Sequence, residues 1–435
     1  MTRSFVSRRR TFGIVGVALA LGSFAALGAA QTVAITGGKV FPVSGPPIEH
    51  GTVLMRGGKV VAVGANVQVP SDAERVDATG KWVTPGLVNS ATQVGLIEIE
   101  FGGPPRETSA NGADSIAAAF TAWAGVNPRS VVIPPTRDDG ITTVGVLPMG
   151  GLIAGQAAFV DLVDGSIGDM VISAPAAMVG EIGDASQAGT SARGQLVVKL
   201  RALLEDTRAY ERRRAEFERA QTRPFIANRL DLEAMIPVVQ GRLPMIIYAD
   251  RASDIESALD LAREYKLKLV IAGGAEAWMV ANRLATARVP VMVGAMNNIP
   301  SSFAALGTRQ ENAGLLRKEG VSVILIGNAG GGDEEAFNAR NIRYEAGNAV
   351  AYGMTWDDAL RAITLTPAEV FGFADRVGSL RAGAEANVVV WSGDPFEFST
   401  RAEQVFIRGK KVTDESRQDM LIERYKSLPR TYSAP

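Results

Sequence analysis

The chain of 435 residues contains no cysteine and a single histidine. Without cysteine there are no disulfides, thiolate nucleophiles, iron–sulfur clusters or Cys-based zinc sites, and no lipid anchor on an N-terminal Cys. With one histidine, no site can draw two imidazoles from the same chain, so the common His-rich zinc centres are excluded as well. An excess of either charge is also missing: Lys plus Arg number 45 and Asp plus Glu 46, for a net charge of -1. That argues against a nucleic-acid partner recognised through bulk charge. What is present is 46% hydrophobic and 21% charged residues, the composition of a globular protein with a substantial core.

The first 30 residues have the order of a signal peptide. Arg3, Arg8, Arg9 and Arg10 make a basic start, Phe12 to Ala30 is apolar, and Gly28-Ala29-Ala30 supplies small residues before Gln31. Arg9-Arg10-Thr11-Phe12 resembles a twin-arginine export signal, with an ordinary Sec signal as the alternative. The reading is a periplasmic or secreted protein with no membrane anchor after cleavage.

The remainder divides into three parts. Residues 31–84 carry β-branched runs between glycine pairs, such as Val33-Ala34-Ile35-Thr36 before Gly37-Gly38 and Lys59-Val60-Val61-Ala62-Val63 after Gly57-Gly58, which are hairpin signals. Residues 85–375 alternate apolar strand-like runs with helical stretches. Met245 to Tyr248, Leu269 to Ile271, Val289 to Val293 and Val321 to Ile326 are the clearest strands, and Asp254 to Tyr265 the clearest helix. Repeated βα units imply parallel strands under helices, and the span is close to the ~250 residues of a (β/α)8 barrel. Residues 196–223 read as a solvated, charged helix with i, i+4 ion pairs. Residues 376–420 return to strands, including Asn387 to Trp391 and Val405 to Ile407, and 421–435 form a helix and tail. The expected fold class is therefore α/β, a (β/α)8 TIM barrel inserted into a small β-sandwich built from both chain ends.

Three segments carry a family likeness. Val83-Thr84-Pro85-Gly86-Leu87-Val88 resembles the entry to the first barrel strand of the amidohydrolase superfamily, in particular its secreted imidazolonepropionase-like branch. Ala359 to Ala368 resembles its last barrel helix, and Gly378 to Trp391 followed by Gly393-Asp394-Pro395 resembles its return to the β-domain. The resemblance implies metal-assisted hydrolysis of amide or other C–N bonds at the C-terminal mouth of the barrel, where a divalent ion acidifies water and polarises the scissile carbonyl. It also implies His-x-His on the first strand, an acidic or bridging ligand on the fourth, histidines on the fifth and sixth and an Asp on the eighth.

Carried onto this chain, those positions fall on residues that do not ligate in that way. The first-strand motif becomes Ala91-Thr92-Gln93, the fifth strand offers Tyr248 and Asp250, the sixth ends at Gly273, and the eighth supplies Asn328, which cannot take a proton from water. Glu181 is the nearest acidic residue for the fourth strand. The lone histidine, His50, falls in the opening β-rich part and reads as a surface turn residue. Glu181, Asp250 and Asp333, with Glu334 and Glu335 beside the last, are the remaining oxygen donors for a hard cation such as Mg2+ or Ca2+. The acidic trio follows Gly330-Gly331-Gly332 and also suits the first turn of a helix.

The expectation is a metal-free, degenerate member of the superfamily without a cofactor. It would bind a small molecule or peptide, or an active amidohydrolase paralogue, or pair with itself. The alternative is a hydrolase of C–N bonds with a rebuilt site and a divalent metal on oxygen ligands. No catalytic residue is assigned on either reading.

Overall fold

The β-branched runs between glycine turns at the start of the chain become strands of one sheet. In the computed structural model, which describes residues 31–98, 107–110, 115–183, 192–296, 299–300, 302–327, 338–413 and 417–426 (the last with side chains from Met420), these are β1 (Thr32–Val40), β2 (Ile48–Arg56), β3 (Lys59–Gly64), β4 (Glu74–Asp77) and β5 (Trp82–Pro85). Gly57 and Gly58, both at positive φ, turn β2 into β3 where a Cβ would be strained. The proposed signal segment, residues 1–30, lies outside the described residues.

The second sheet is the barrel. β6 (Leu87–Thr92), β7 (Ile141–Val146), β8 (Ile153–Asp161), β9 (Val171–Glu181), β10 (Met245–Ala249), β11 (Leu269–Gly273), β12 (Val291–Val293) and β13 (Val323–Leu325) neighbour one another in sequence order. The ring is nearly closed: a Cβ at Gly327, just past β13, would lie 3.8 Å from the side-chain Nδ2 of Asn89 on β6. The architecture is the expected TIM barrel with an additional sheet domain.

One strand departs from the eight parallel ones expected. β8 runs antiparallel to both β7 and β9. The reason lies in its connections. Residues 147–152 join β7 to β8 through Gly150 and Gly151 at φ 89° and 76°, which is a hairpin loop. A parallel crossover needs a dozen residues or more. The β8–β9 link is also short and holds only the helix Ile167–Met170.

Helices cover the outside of the barrel. The charged stretch forms helix Arg193–Arg212, breaks at Arg213 and resumes as Arg214–Glu218. Leu196, Leu200, Leu203, Leu204, Thr207 and Tyr210 are buried at helical spacing, so one face belongs to the core. Its ion pairs run mainly to other elements, as in Arg201–Glu264, Arg214–Glu233 and Arg223–Asp206, rather than along the helix as expected.

After the barrel, β14 (Val388–Trp391), β15 (Ala402–Ile407) and β16 (Lys410–Lys411) join the first sheet. β14 pairs antiparallel with β5, Val388 opposite Pro85 and Trp391 opposite Trp82, so this sheet is made from both ends of the described chain. It is one continuous eight-stranded sheet whose halves share a core of Val33, Ile35, Val53, Val388 and Phe406, among others. A buried polar cluster ties it to the barrel. Asp161 at the end of β8 accepts from Thr143 Oγ1 (2.8 Å), Asn387 Nδ2 (2.9 Å) and Arg408 Nε (2.7 Å). Burial pushes the Asp161 carboxyl above the ordinary range, against the pull of the Arg408 guanidinium and these donors.

Candidate functional site

Parallel strands place their C-terminal ends on one rim, and in barrels of this kind that rim carries the chemistry. The register sets which residues meet there. Tyr248 on β10 stands opposite Glu181 on β9 and Ala272 on β11, and Ala249 stands opposite Gly273. Glu181, Tyr248, Asp250 and Gly273 therefore occupy one arc of the rim. Ala91 and Gln93 lie on and just past β6, where the ring closes.

The interior beneath the rim is hydrocarbon. Val88, Phe159, Ile246, Val270, Met292 and Ile324 fill it, and Ala91, Leu147, Ala272 and Ile326 continue the same cluster upward, with Tyr248 packed against it. Phe371 and Phe373 close the other end against Phe159, with ring centroids 5.0 and 4.6 Å away. Ala91 is thus part of an apolar core rather than the edge of a polar pocket.

Each remaining position has its own local role. Gln93 is buried, its amide nitrogen donates to the Met149 sulfur, and its Oε1 has no partner. Asp250 follows β10, and its Oδ1 accepts from Ala275 N at 3.2 Å while its carbonyl accepts from Glu276 N at 2.9 Å. It thereby holds the turn that leaves β11. Gly273 is in that turn at φ 80°, and a Cβ there would lie 2.7 Å from Asp250 Oδ1. Asp250 fills the space a side chain at 273 would need. His50 is exposed on β2 in the other sheet, at φ 51°. Asn328, Asp333, Glu334 and Glu335 lie outside the described residues.

Among the described residues no three His, Asp or Glu side chains converge in a way that could hold a metal ion. Among the described residues, the donor chemistry at the rim does not fit a divalent ion of the expected kind. Ala91 and Gly273 offer no donor atom, Gln93 offers one neutral oxygen, and the surrounding wall is apolar, where an ion without compensating ligands is costly. Glu181 and Asp250 are carboxylates at the described strand ends of the rim, and Asp250 is engaged with the backbone.

Sequence reasoning missed a second set of carboxylates. Glu345, fully buried in helix Ile342–Ala351, accepts at Oε2 from Ala295 N (2.6 Å) and Met296 N (2.8 Å) just past β12. Glu276 accepts from Ala252 N (2.9 Å) and from Gly307 N (3.1 Å). Both hold rim loops in place. Neither belongs to a motif, and their partners are backbone amides remote in sequence, so no local pattern marks them.

The comparisons bear on this geometry. The amidohydrolase family model matches residues 252–412. The chain superimposes on an amidohydrolase structure from Thermotoga maritima MSB8 with a TM-score of 0.79 and 28% identity, over 88% of this chain and 100% of that one. It is 23% identical over 404 residues to an imidazolonepropionase from Mesorhizobium japonicum, covering 79% of this chain and 87% of the relative. It is 24% identical over 408 residues to the amidohydrolase tasK of Hapsidospora irregularis; the match spans 84% of this chain and 40% of that protein's length.

Proposed function

The chain belongs to the amidohydrolase superfamily, and from that premise we propose that it is an exported, degenerate member that holds no catalytic metal and acts by binding. The barrel mouth takes a small molecule or peptide, or the surface takes an active relative. The observation that carries this reading is Gly273. A lost histidine is one substitution away from repair, but here the backbone is at φ 80° and Asp250 Oδ1 occupies the place of the side chain. Ala91 within the apolar cluster supports it from the opposite side of the rim. With hydrocarbon below and Tyr248, Glu181 and Gln93 above, the mouth suits an apolar ligand carrying an N–H donor, which Gln93 Oε1 would accept.

Metal content of the mature protein tests the proposal. After equilibration with zinc, manganese, magnesium and calcium and removal of free ion, elemental analysis should find less than about a tenth of a metal per chain. One or two tightly held ions per chain would overturn it. They would favour a C–N hydrolase with oxygen ligands from Glu181 and Asp250.

A further inference from the structure

β10 to β13 run parallel and neighbour one another in order, so the turns that lead into them share the end of the barrel opposite the mouth. Each turn is tied to the next. Met245 N donates to Lys268 O (2.8 Å), Ile271 N to Pro290 O (3.0 Å) and Val291 N to Ser322 O (2.9 Å). These turns, residues 240–244, 266–268, 288–290 and 318–322, carry Arg242, Lys266, Lys268, Arg288 and Lys318 against one acid, Glu319. All five cations are exposed, and among the described residues none has an ion-pair partner. Charges in the adjoining helix ends are already engaged: Glu264 pairs with Arg201, and Arg317 with Asp358. A chain of net charge -1 thus gathers an excess of positive charge on one end of its barrel. The helix dipole accounts for a cation in a helix's last turn. It does not require Lys266 and Arg288, which cap helices Ala252–Tyr265 and Ala281–Ala287 at φ 57° and 54°. That left-handed conformation favours Gly or Asn, and both cations are kept against the preference.

We propose that this end of the barrel is a docking face for an anionic phospholipid surface. The unpaired charge selects an anionic partner. The lack of apolar anchors selects a bilayer surface over a protein. No large apolar side chain in the four turns is exposed, whereas protein interfaces draw most of their affinity from such anchors. No aromatic residue alternates with the cations, as a surface for single-stranded nucleic acid needs. Cations spread over four separate turns also suit many headgroups rather than one small anion, which would need them to converge. Docked this way, the protein turns its mouth to the solution. The inference goes beyond the binding role of the mouth and does not rest on it.

Co-sedimentation of the mature protein with phosphatidylcholine vesicles, with and without phosphatidylglycerol, tests the proposal. The variant combines Lys266→Asn, Lys268→Gln and Arg288→Asn. Asn tolerates the left-handed caps, so the variant should keep the wild-type circular dichroism spectrum and melting temperature. The wild type is expected to bind only vesicles containing phosphatidylglycerol, at about 20 mM salt and not at about 500 mM. The folded variant should bind them on the order of a hundred-fold more weakly, roughly five-fold for each cation removed. A wild type that ignores these vesicles at low salt overturns the proposal, as does a folded variant that binds them equally. So does a wild type that binds poly-glutamate but not the vesicles, which would assign the face to an acidic protein.

Discussion

At Gly273 the obstacle to a ligand is the backbone rather than the missing side chain. Its φ of 80° is unfavourable for any L-residue, and the nearest neighbour of a new Cβ is the Asp250 carboxylate at 2.7 Å. Gly273→Ala is therefore expected to cost about 1–3 kcal/mol in urea unfolding. The same geometry bears on restoring the family's ligands. Ala91→His, Gln93→His, Tyr248→His and Asn328→Asp together should raise zinc affinity in calorimetric titration. Adding Gly273→His should lower the unfolding midpoint without a matching gain in affinity. Unchanged zinc binding in the folded four-site variant would refute the strand alignment. That the chain has a single histidine was legible in the sequence, because a missing residue type needs no structure to be noticed. The occupation of the 273 site by Asp250 was not, because it depends on a turn that folds one strand end over the next.

At the scale of elements, the contact between sheet and barrel combines a shared apolar core with one buried carboxylate. Asp161 has no exposure, and Arg408 is its only ion-pair partner among the described residues. Arg408 also sits at φ 48°, a left-handed conformation that disfavours a non-glycine residue. Arg408→Ala is expected to destabilise the fold by about 3 kcal/mol near neutral pH, since it leaves a buried charge unpaired. The sign of its pH dependence follows. Burial already raises the native Asp161 carboxyl, and losing the guanidinium raises it further. A raised native value means the folded state holds the proton more tightly, so its stability is retained in acid and lost as pH climbs. The cost of the substitution should then be larger at about pH 7 than at about pH 4, measured by denaturant titration at both. An equal cost at the two would show that Asp161 stays ionised or neutral throughout. The strands themselves were readable from β-branched runs between glycines. The reversed direction of β8 was not, because a strand sequence such as Ile153 to Asp161 looks the same in either direction and only the length of its connections settles the matter.

On the scale of the molecule, one sheet joins residues far apart in the chain. β14 lies between β5 and β15, and Trp391 on β14 donates to Thr84 Oγ1 at 2.8 Å while its ring fills the space beside Gly140. A chain ending at residue 375 would leave β5 paired on one side only, with β1, and open the core shared by Val33, Val53 and Phe406. Such a truncation is expected to be insoluble or rapidly digested in limited proteolysis, and a soluble, protease-resistant product would show that the barrel stands alone. The end segments announced this arrangement, because the Pro85-Gly86 turn and the Gly378 to Pro395 stretch are local motifs. By itself the sequence determined the superfamily, the barrel and the scarcity of imidazole, all of which follow from composition, period and short motifs. Only the tertiary structure decided that the barrel interior beneath the mouth is hydrocarbon, that Asp250 shadows Gly273, and that the buried Glu345 holds the start of the loop after β12. Each of these depends on which distant residues share a face, and a linear pattern does not encode that.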